Sequence, residues 1–203
     1  VPRIIMNDDS EHRQAPVAAS SARPHGDRLF AVLQNGLAPR KIAQTHAMNR
    51  VLTWGRQRSG VLGTGDDGER EVPLQSPCAV GGALAGRAVL QVCCGELHTL
   101  ALSDGGAAFS WGSGLMGALG HGGRQDECAP RHLASLPFVS ALAAGKHHSA
   151  ALCPDGGGVV YCWGWDGWEA SSCQKTPQRA PHLEGVGVRQ IAAGAFHLAA
   201  LTA

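Results

Sequence analysis

Three histidines recur at a fixed place in the sequence and are its first candidates for chemistry. A neutral imidazole can accept a proton or bind a metal near pH 7, so a histidine can serve as a general base or a ligand. Each of the three ends a Gly-x-x-His element, and these elements follow one another at about fifty residues. A catalytic residue is needed once, whereas a residue that recurs in every repeat solves a packing problem common to all repeats. We therefore predict structural roles for Gly95, His98, Gly145, His148, Gly194 and His197. The ring nitrogens of the three histidines are expected to bond to the backbone of a neighbouring turn.

The seven cysteines are the other candidates for metal binding. The nearest groups of ligands are Cys93, Cys94 and His98, and Cys153, Cys162 and Cys173. Neither group has the paired Cys-x-x-Cys spacing of a zinc site. Successive residues of a strand point to opposite faces, which separates Cys93 from Cys94. With no Ser-His-Asp or paired-carboxylate pattern beside them, we predict no metal, no cofactor and no catalytic residue.

Residues 112–117 match the dinucleotide fingerprint Gly-x-Gly-x-x-Gly. That fingerprint binds phosphate only where a strand precedes it and a helix follows, so that the helix N-terminus meets the phosphate. The following residues, 118–123, are Gly-rich and form a poor helix. Residues 55–60 occupy the same place in an earlier unit, which indicates a repeat loop and no nucleotide site.

A second element, Trp-Gly, recurs at the same period as the histidines. It occurs at Trp54-Gly55, Trp111-Gly112 and Trp163-Gly164. Short apolar runs, such as residues 98–102 and 107–111, are separated by Asp-Gly, which is a hairpin signal. No segment keeps the helical period of about 3.6 residues. The pattern predicts an all-β chain in which the three indoles fill the space between repeats and bond their N–H groups locally.

The order of these elements resembles the repeat of the regulator of chromosome condensation family. It runs from an apolar strand through Gly-x-x-His, a Leu- and Ala-rich strand, Asp-Gly and a strand ending in Trp-Gly to Gly-x-Leu-Gly-x-Gly, and residues 89–122 match it best. The resemblance covers residues 51–203 and implies about three repeats, which form part of a seven-bladed β-propeller. Two stretches depart from the pattern, residues 45–48 and residues 165–168.

About three repeats are too few to close such a ring. Radial repetition protects strand edges only when the ring closes. The chain is therefore expected to be a fragment, to need another chain that completes the ring, or to be marginally stable, and we favour the fragment.

Residues 1–45 do not follow the repeat and predict an irregular, flexible lead outside the propeller, with the repeat segment at residues 46–203. Pro16, Pro24 and Pro39 and an Ala-Ser run give the lead little apolar surface to bury. Residues 1–50 carry a modest excess of Arg and Lys, which a solvated lead explains best. Contact of this basic lead with nucleic acid is the lesser alternative. The acidic residues near the start argue against a transit peptide.

The composition excludes several classes of protein. The net charge is +1, so the basic excess typical of nucleic-acid or membrane surfaces is absent. No apolar run reaches the roughly 18 residues that a spanning helix needs. An odd number of cysteines without a secretory signal favours a reducing compartment, and we expect the cytoplasm or the nucleus.

These features favour a protein-binding scaffold with no chemistry of its own. Recognition is expected in the rim loops, at residues 65–77, 121–132 and 165–181, because loops on a rigid scaffold carry function. The resemblance leaves two alternatives. One is guanine-nucleotide exchange for a Ran-like small GTPase with chromatin association, and the other is a regulatory propeller of a larger enzyme such as a ubiquitin ligase. Light sensing by clustered tryptophans, also known in this family, is disfavoured because the run Gly-Trp-Arg-His-Thr is absent.

Overall fold

The computed structural model describes residues 30–33, 50–69, 72–165 and 173–203, and for residues 30–33 only the backbone. The strands are β1 (Phe30–Leu33), β2 (Val51–Gly55), β3 (Leu74–Ala79), β4 (Val89–Cys94), β5 (His98–Ser103), β6 (Ala108–Gly112), β7 (Glu127–His132), β8 (Ala141–Ala144), β9 (His148–Cys153), β10 (Val159–Gly164), β11 (Gln174–Arg179), β12 (Val188–Ala193) and β13 (Leu198–Thr202). Short 3-10 helices lie at Gly82–Leu84, Leu115–Gly117 and Pro181–Leu183, and a single helical turn lies at Asp155–Gly158. The predicted all-β fold class is confirmed.

The strands form four antiparallel sheets that follow one another along the chain. Strands β4 to β7 form blade one and strands β8 to β11 form blade two, each with its strands in sequence order. Before them, β1, β2 and β3 form the N-terminal sheet. After them, β12 and β13 form the C-terminal hairpin. Four antiparallel strands in sequence order are the meander of a propeller blade, so the propeller is partial.

Tight turns join the strands of each blade, as the Asp-Gly signal predicted. Between β5 and β6, the N–H of Gly106 donates to the carbonyl of Ser103 at 3.0 Å, and the Ser103 hydroxyl donates to the carbonyl of Ala107 at 3.1 Å. The positive φ of the turn falls on Gly106, at 75°. The sequence signal therefore locates the turn, and the residue after the Asp-Gly pair supplies its left-handed conformation.

The hydrophobic core lies between neighbouring sheets. The cluster between blades one and two consists of Leu100, Leu102, Ala108, Leu133, Val139, Leu142, Ala151, Cys153 and Trp163. A second cluster joins the N-terminal sheet to blade one, and a third joins blade two to the C-terminal hairpin. Every residue of β5 and of β9 is buried, because both faces of these blades are covered. Strands that are buried along their whole length are typical of sheets packed on both sides.

Strand β1 brings four residues of the predicted lead into the N-terminal sheet. It pairs with β2 in a register that places Phe30 opposite Trp54. In blade one, Thr99 lies opposite Trp111 in the same way. Strand β1 therefore holds the place in the N-terminal sheet that β5 holds in blade one. The other residues of the lead lie outside the described residues, and for them the boundary at residue 45 stays a prediction.

Candidate functional site

The Gly-x-x-His elements form the same tight turn in all three units. In each, the glycine N–H donates to the carbonyl of the histidine, with N···O distances of 2.8 Å in Gly95–His98, 2.8 Å in Gly145–His148 and 2.9 Å in Gly194–His197. The turn folds the imidazole back onto its own glycine. A Cβ atom at Gly145 would lie 2.1 Å from Cε1 of His148, and one at Gly194 would lie 2.1 Å from Cε1 of His197. A side chain at the glycine position therefore collides with the ring.

Two of the three Trp-Gly tryptophans bond to the loop of the preceding sheet. The indole N–H of Trp111 donates to the carbonyl of Val61 at 3.0 Å, and that of Trp163 donates to the carbonyl of Ala118 at 2.8 Å. Both indoles are buried, whereas Trp54 is half-buried. A buried indole needs a partner for its N–H, and a carbonyl of the neighbouring unit provides it here. Each of these two contacts joins one blade to the unit before it.

Hydroxyl side chains after the histidines bond to the same two carbonyls. Thr99 Oγ1 donates to the carbonyl of Val61 at 3.3 Å, and Ser149 Oγ donates to the carbonyl of Ala118 at 2.9 Å. Nε2 of His98 lies 2.9 Å from Oγ of Ser149, in the next blade. For His98, the predicted backbone partner is therefore wrong. The ring bonds to a side chain instead, because the turn of blade one faces the start of β9.

The three histidines of the Gly-x-x-His turns differ in burial. His98 and His148 are buried, at 2% and 5% exposure, whereas His197 is exposed. Burial is the largest cause that lowers the pKa of His98, to about 3, and the nearby His148 and His147 lower it further. The His98 ring is therefore neutral at physiological pH, which suits a hydrogen-bonding role inside the fold.

The glycines of the Trp-Gly elements share a left-handed backbone. The φ angles are 109° at Gly55, 103° at Gly112 and 89° at Gly164. A Cβ atom would lie 2.4 Å from the carbonyl oxygen of Leu97 at Gly112, and 2.4 Å from that of His147 at Gly164. Glycine is needed at these two positions for both its conformation and its lack of a side chain.

Sequence reasoning missed the serine and threonine residues that hold the loops after the tryptophan strands. Thr53 Oγ1 donates to the carbonyl of Leu62 at 2.6 Å, and Ser110 Oγ donates to the carbonyl of Leu119 at 2.8 Å. The signal was present, because a hydroxyl residue precedes the Trp-Gly element in both units. Strand β1 was missed as well, although its flanking residues carried a signal. Gly26 and the Asn35-Gly36 pair are separated in the sequence as Gly95 and the Asp104-Gly105 pair are in blade one.

One rim of the molecule carries the Gly-x-x-His turns, in which Glu96 and Phe196 are exposed and Lys146 and His147 are half-buried. We define the turn-rim patch as Glu96, Lys146, His147, Trp165 and Phe196. Backbone bonds link its units, since the N–H of Glu96 donates to the carbonyl of Lys146 at 3.3 Å and the N–H of Lys146 donates to the carbonyl of Ala195 at 2.9 Å. The Glu96 carboxylate lies 3.5 Å from Nζ of Lys146 and 3.4 Å from Nε2 of His147.

Aromatic rings complete the turn-rim patch. The Trp165 ring lies 6.4 Å from the Phe196 ring, edge to face, and 5.8 Å from the His147 ring. Nζ of Lys146 lies 5.5 Å from the centre of the Phe196 ring. Burial lowers the pKa of His147, Glu96 opposes that shift and Lys146 adds to it. The patch therefore presents aromatic surface beside both signs of charge, a composition typical of protein interfaces.

Cys93 and Cys94 lie in β4, and the glycine-rich loop of residues 112–117 begins at the end of β6. Sγ of Cys93 donates to the carbonyl of Leu142 at 3.2 Å. Burial is the largest cause that raises the pKa of Cys93 to about 12 and that of Cys94 to about 11, so both side chains are protonated thiols at neutral pH. Within residues 112–117, the 3-10 helix Leu115–Gly117 follows the strand, and the described chain holds no longer helix there.

Each predicted rim loop begins on the rim of the turn-rim patch, because it follows a strand that ends in Trp-Gly. Within the predicted ranges, residues 127–132 and 174–179 form strands β7 and β11, and residues 74–77 lie in β3. Residues 70–71 and 166–172 of these loops fall outside the described residues. Their role in recognition stays a prediction. No helix in the described part of the chain is long and apolar enough to cross a membrane.

The fold and these contacts define a repeat protein built as a partial β-propeller. The regulator of chromosome condensation (RCC1) repeat profile matches residues 49–102 and 105–152, and a second profile of the same repeat matches residues 89–118. The chain belongs to the RCC1 repeat family.

Similar proteins agree with this assignment. The chain is 35% identical over 160 residues to the ultraviolet-B receptor UVR8 of Arabidopsis thaliana, which covers 75% of this chain and 35% of the receptor. It is 36% identical over 121 residues to the human probable E3 ubiquitin-protein ligase HERC4, which covers 58% of this chain and 11% of the ligase. The chain therefore spans about a third of the receptor and about a tenth of the ligase.

Solved structures share the fold. Prp20p of Saccharomyces cerevisiae, studied for its binding to Gsp1p and histones, superposes with a TM-score of 0.66 at 22% identity, over 75% of this chain and 39% of Prp20p. Human WBSCR16 superposes with a TM-score of 0.62 at 28% identity, over 76% of this chain and 40% of that protein. At 22% identity, the likeness to Prp20p shows the fold alone.

Proposed function

We propose that this chain is a protein-binding scaffold that performs no chemistry of its own and binds its partner through the turn-rim patch. The observation that carries the proposal is that the recurrent side chains and the side chains of the patch make different kinds of contact. The recurrent side chains, such as Trp163 and Ser149, bond to neighbouring units, whereas Lys146, Glu96 and Phe196 of the patch face solvent. A rigid scaffold with exposed rim residues supports recognition.

Site-specific photo-crosslinking tests this proposal. A photoreactive phenylalanine at Phe196, which is 53% exposed, is expected to crosslink one protein in cell extract, and the charge swap Lys146→Glu is expected to abolish that crosslink. The matched control is the same group at Leu90, which is 59% exposed on β4, outside the patch. An equal pattern of crosslinks from both positions, or one that ignores Lys146→Glu, contradicts the proposal.

A regulatory propeller within a larger enzyme is the second candidate. It is supported by the 36% identity to HERC4, which lies within 11% of the ligase. In that setting the turn-rim patch binds the protein that the enzyme acts on or is controlled by.

Guanine-nucleotide exchange for a Ran-like GTPase is a further candidate that the family suggests. A direct test is the release of fluorescent GDP from Ran with and without the chain. Acceleration that Lys146→Glu removes supports exchange through the turn-rim patch.

Light sensing is disfavoured among the functions of similar proteins. The three Gly-x-x-His turns read Gly-Glu-Leu-His-Thr, Gly-Lys-His-His-Ser and Gly-Ala-Phe-His-Leu, so the two middle positions carry no tryptophan. The chromophore run named above is therefore missing from every described turn.

A further inference from the structure

A cleft opens in blade two on the rim opposite the turn-rim patch. Its volume is about 500 Å³, and it lies between residues 134–137, which connect β7 to β8, and the ends of β9, β10 and β11. The residues that matter for its chemistry are Pro137, Asp155, Tyr161 and Arg179. Asp155 lies on the turn between β9 and β10, and Tyr161 pairs with Arg179 across β10 and β11.

Blade one shows what fills the corresponding place. Phe109 pairs with His132 across β6 and β7 as Tyr161 pairs with Arg179 in blade two. The guanidinium carbon of Arg87 lies 5.5 Å from the centre of the Phe109 ring. Nε of Arg87 also donates to the carbonyl of Ala83 at 3.0 Å. An arginine from the connector therefore covers the aromatic ring of blade one.

The connector of blade two supplies no such arginine. In blade one, residues 81–88 lie between two buried residues, Val80 and Val89, and in blade two only residues 134–138 lie between Leu133 and Val139. Pro137 stands two residues before the buried valine, where Arg87 stands in blade one. The shorter connector leaves the cleft beside Tyr161 open.

We propose that this cleft binds an arginine side chain of another polypeptide, seated against the Tyr161 ring and near the Asp155 carboxylate. A guanidinium is attracted to an aromatic face and pairs with a carboxylate. Arg87 shows that the fold accepts a guanidinium over the aromatic ring at the equivalent place in blade one. The proposed site lies on the rim opposite the turn-rim patch, so it is a second binding surface, and its failure would leave the proposed function untouched.

Arg179 lies beside Tyr161 in the cleft, and its positive charge affects basic and acidic ligands in opposite ways. Its guanidinium carbon lies 6.0 Å from the centre of the Tyr161 ring, and its Nε donates to the Tyr161 hydroxyl at 3.3 Å. A second guanidinium is repelled by Arg179 and attracted by Asp155. An acidic ligand has the opposite dependence on both residues, so two charge-removing substitutions distinguish the two kinds of ligand.

The test uses a peptide that copies residues 82–88, Gly-Ala-Leu-Ala-Gly-Arg-Ala, with both ends blocked. Its binding to the 203-residue chain is measured by chemical-shift titration beside a peptide in which glutamine replaces the arginine. We expect the arginine peptide to bind at the cleft roughly two- to fivefold more tightly than the glutamine peptide, which is the size of one exposed cation–π contact.

Variants of the chain complete the experiment. Asp155→Asn is expected to weaken binding of the arginine peptide, and Arg179→Gln is expected to strengthen it. The matched control is Asp104→Asn, on the corresponding turn of blade one, which is expected to leave binding of the peptide unchanged. Equal binding of the two peptides, shifts away from the cleft, or loss of binding in Arg179→Gln would overturn the proposal. The last result would indicate an acidic ligand in its place.

Discussion

Strand β9 of blade two and strand β13 of the C-terminal hairpin follow the same sequence pattern but differ in burial. Both follow a Gly-x-x-His turn with the same backbone hydrogen bond, and both pair with the strand before them. Leu152 in β9 is 4% exposed, whereas the corresponding Leu201 in β13 is 60% exposed. All of β9 is buried, and all of β13 is exposed. The turn and the strand are therefore local properties of one unit, and burial is a property of two neighbouring units.

The two strands also differ in the side chain that follows the histidine. Ser149 follows His148 and bonds to the loop of blade one, whereas Leu198 follows His197. In the preceding unit, blade two, residues 165–168 depart from the Gly-x-Leu-Gly-x-Gly pattern of the loop that the hydroxyl would meet. The hydroxyl and the loop pattern are lost together, which indicates that the contact between blade two and the C-terminal hairpin differs from the contact between blades one and two.

The largest expected effect tests whether the buried tryptophan of blade two contributes more to the free energy of unfolding than the half-buried tryptophan of the N-terminal sheet. Trp163→Ala removes a buried indole and its bond to Ala118, and should lower the free energy of unfolding by about 3–5 kcal/mol. Trp54→Ala is the matched control and should cost clearly less, because its side chain is already half-exposed. Urea denaturation followed by circular dichroism measures both. Equal losses would show that the neighbouring blade contributes little to the Trp163 contact.

A smaller loss of stability is expected from substitutions at the glycines of the Gly-x-x-His turns, which compare blade two with the C-terminal hairpin. Gly145→Ala places a methyl group against the buried His148 ring, which cannot move away, and should cost about 1–3 kcal/mol. Gly194→Ala makes the same contact with His197, but that ring is exposed and can rotate into solvent. Thermal or urea unfolding of the two variants should therefore differ. Equal destabilisation would place the strain in the backbone of the turn.

The smallest expected effect concerns pH. The pKa of His98 is lowered to about 3 in the folded chain, so the unfolded chain binds a proton that the folded chain does not between about pH 6.5 and 3. Stability contributed by this neutral histidine is present above pH 6.5 and is lost as the pH falls. We expect a loss of about 1 kcal/mol between pH 6.5 and 5.5 from this residue.

His98→Gln should flatten the fall in stability over that pH range, and His197→Gln should leave it unchanged, because His197 is exposed. Urea midpoints at a series of pH values give the slope for each variant. A slope that is the same in His98→Gln and in the unaltered chain would assign the acid sensitivity to other groups.

The repeat architecture could be read from the sequence because its signals are local. The glycines of the turns, the Asp-Gly hairpins and the Trp-Gly strand ends depend on backbone conformations that neighbouring residues decide, and Gly112 illustrates this with its φ of 103°. The partner of His98 could not be predicted in this way. Ser149 lies about fifty residues further along the chain and belongs to another blade.

The sequence by itself therefore determined the repeat, its turns, its strands other than β1, and the recurrent histidines and tryptophans. Only the tertiary structure decided which of these residues are buried, which carbonyl each indole meets, and where Glu96, Lys146 and Phe196 come together on one rim. The physical reason is that hydrogen bonds within a turn join residues a few positions apart. Contacts between blades join residues about one repeat apart, and their geometry depends on how two sheets pack.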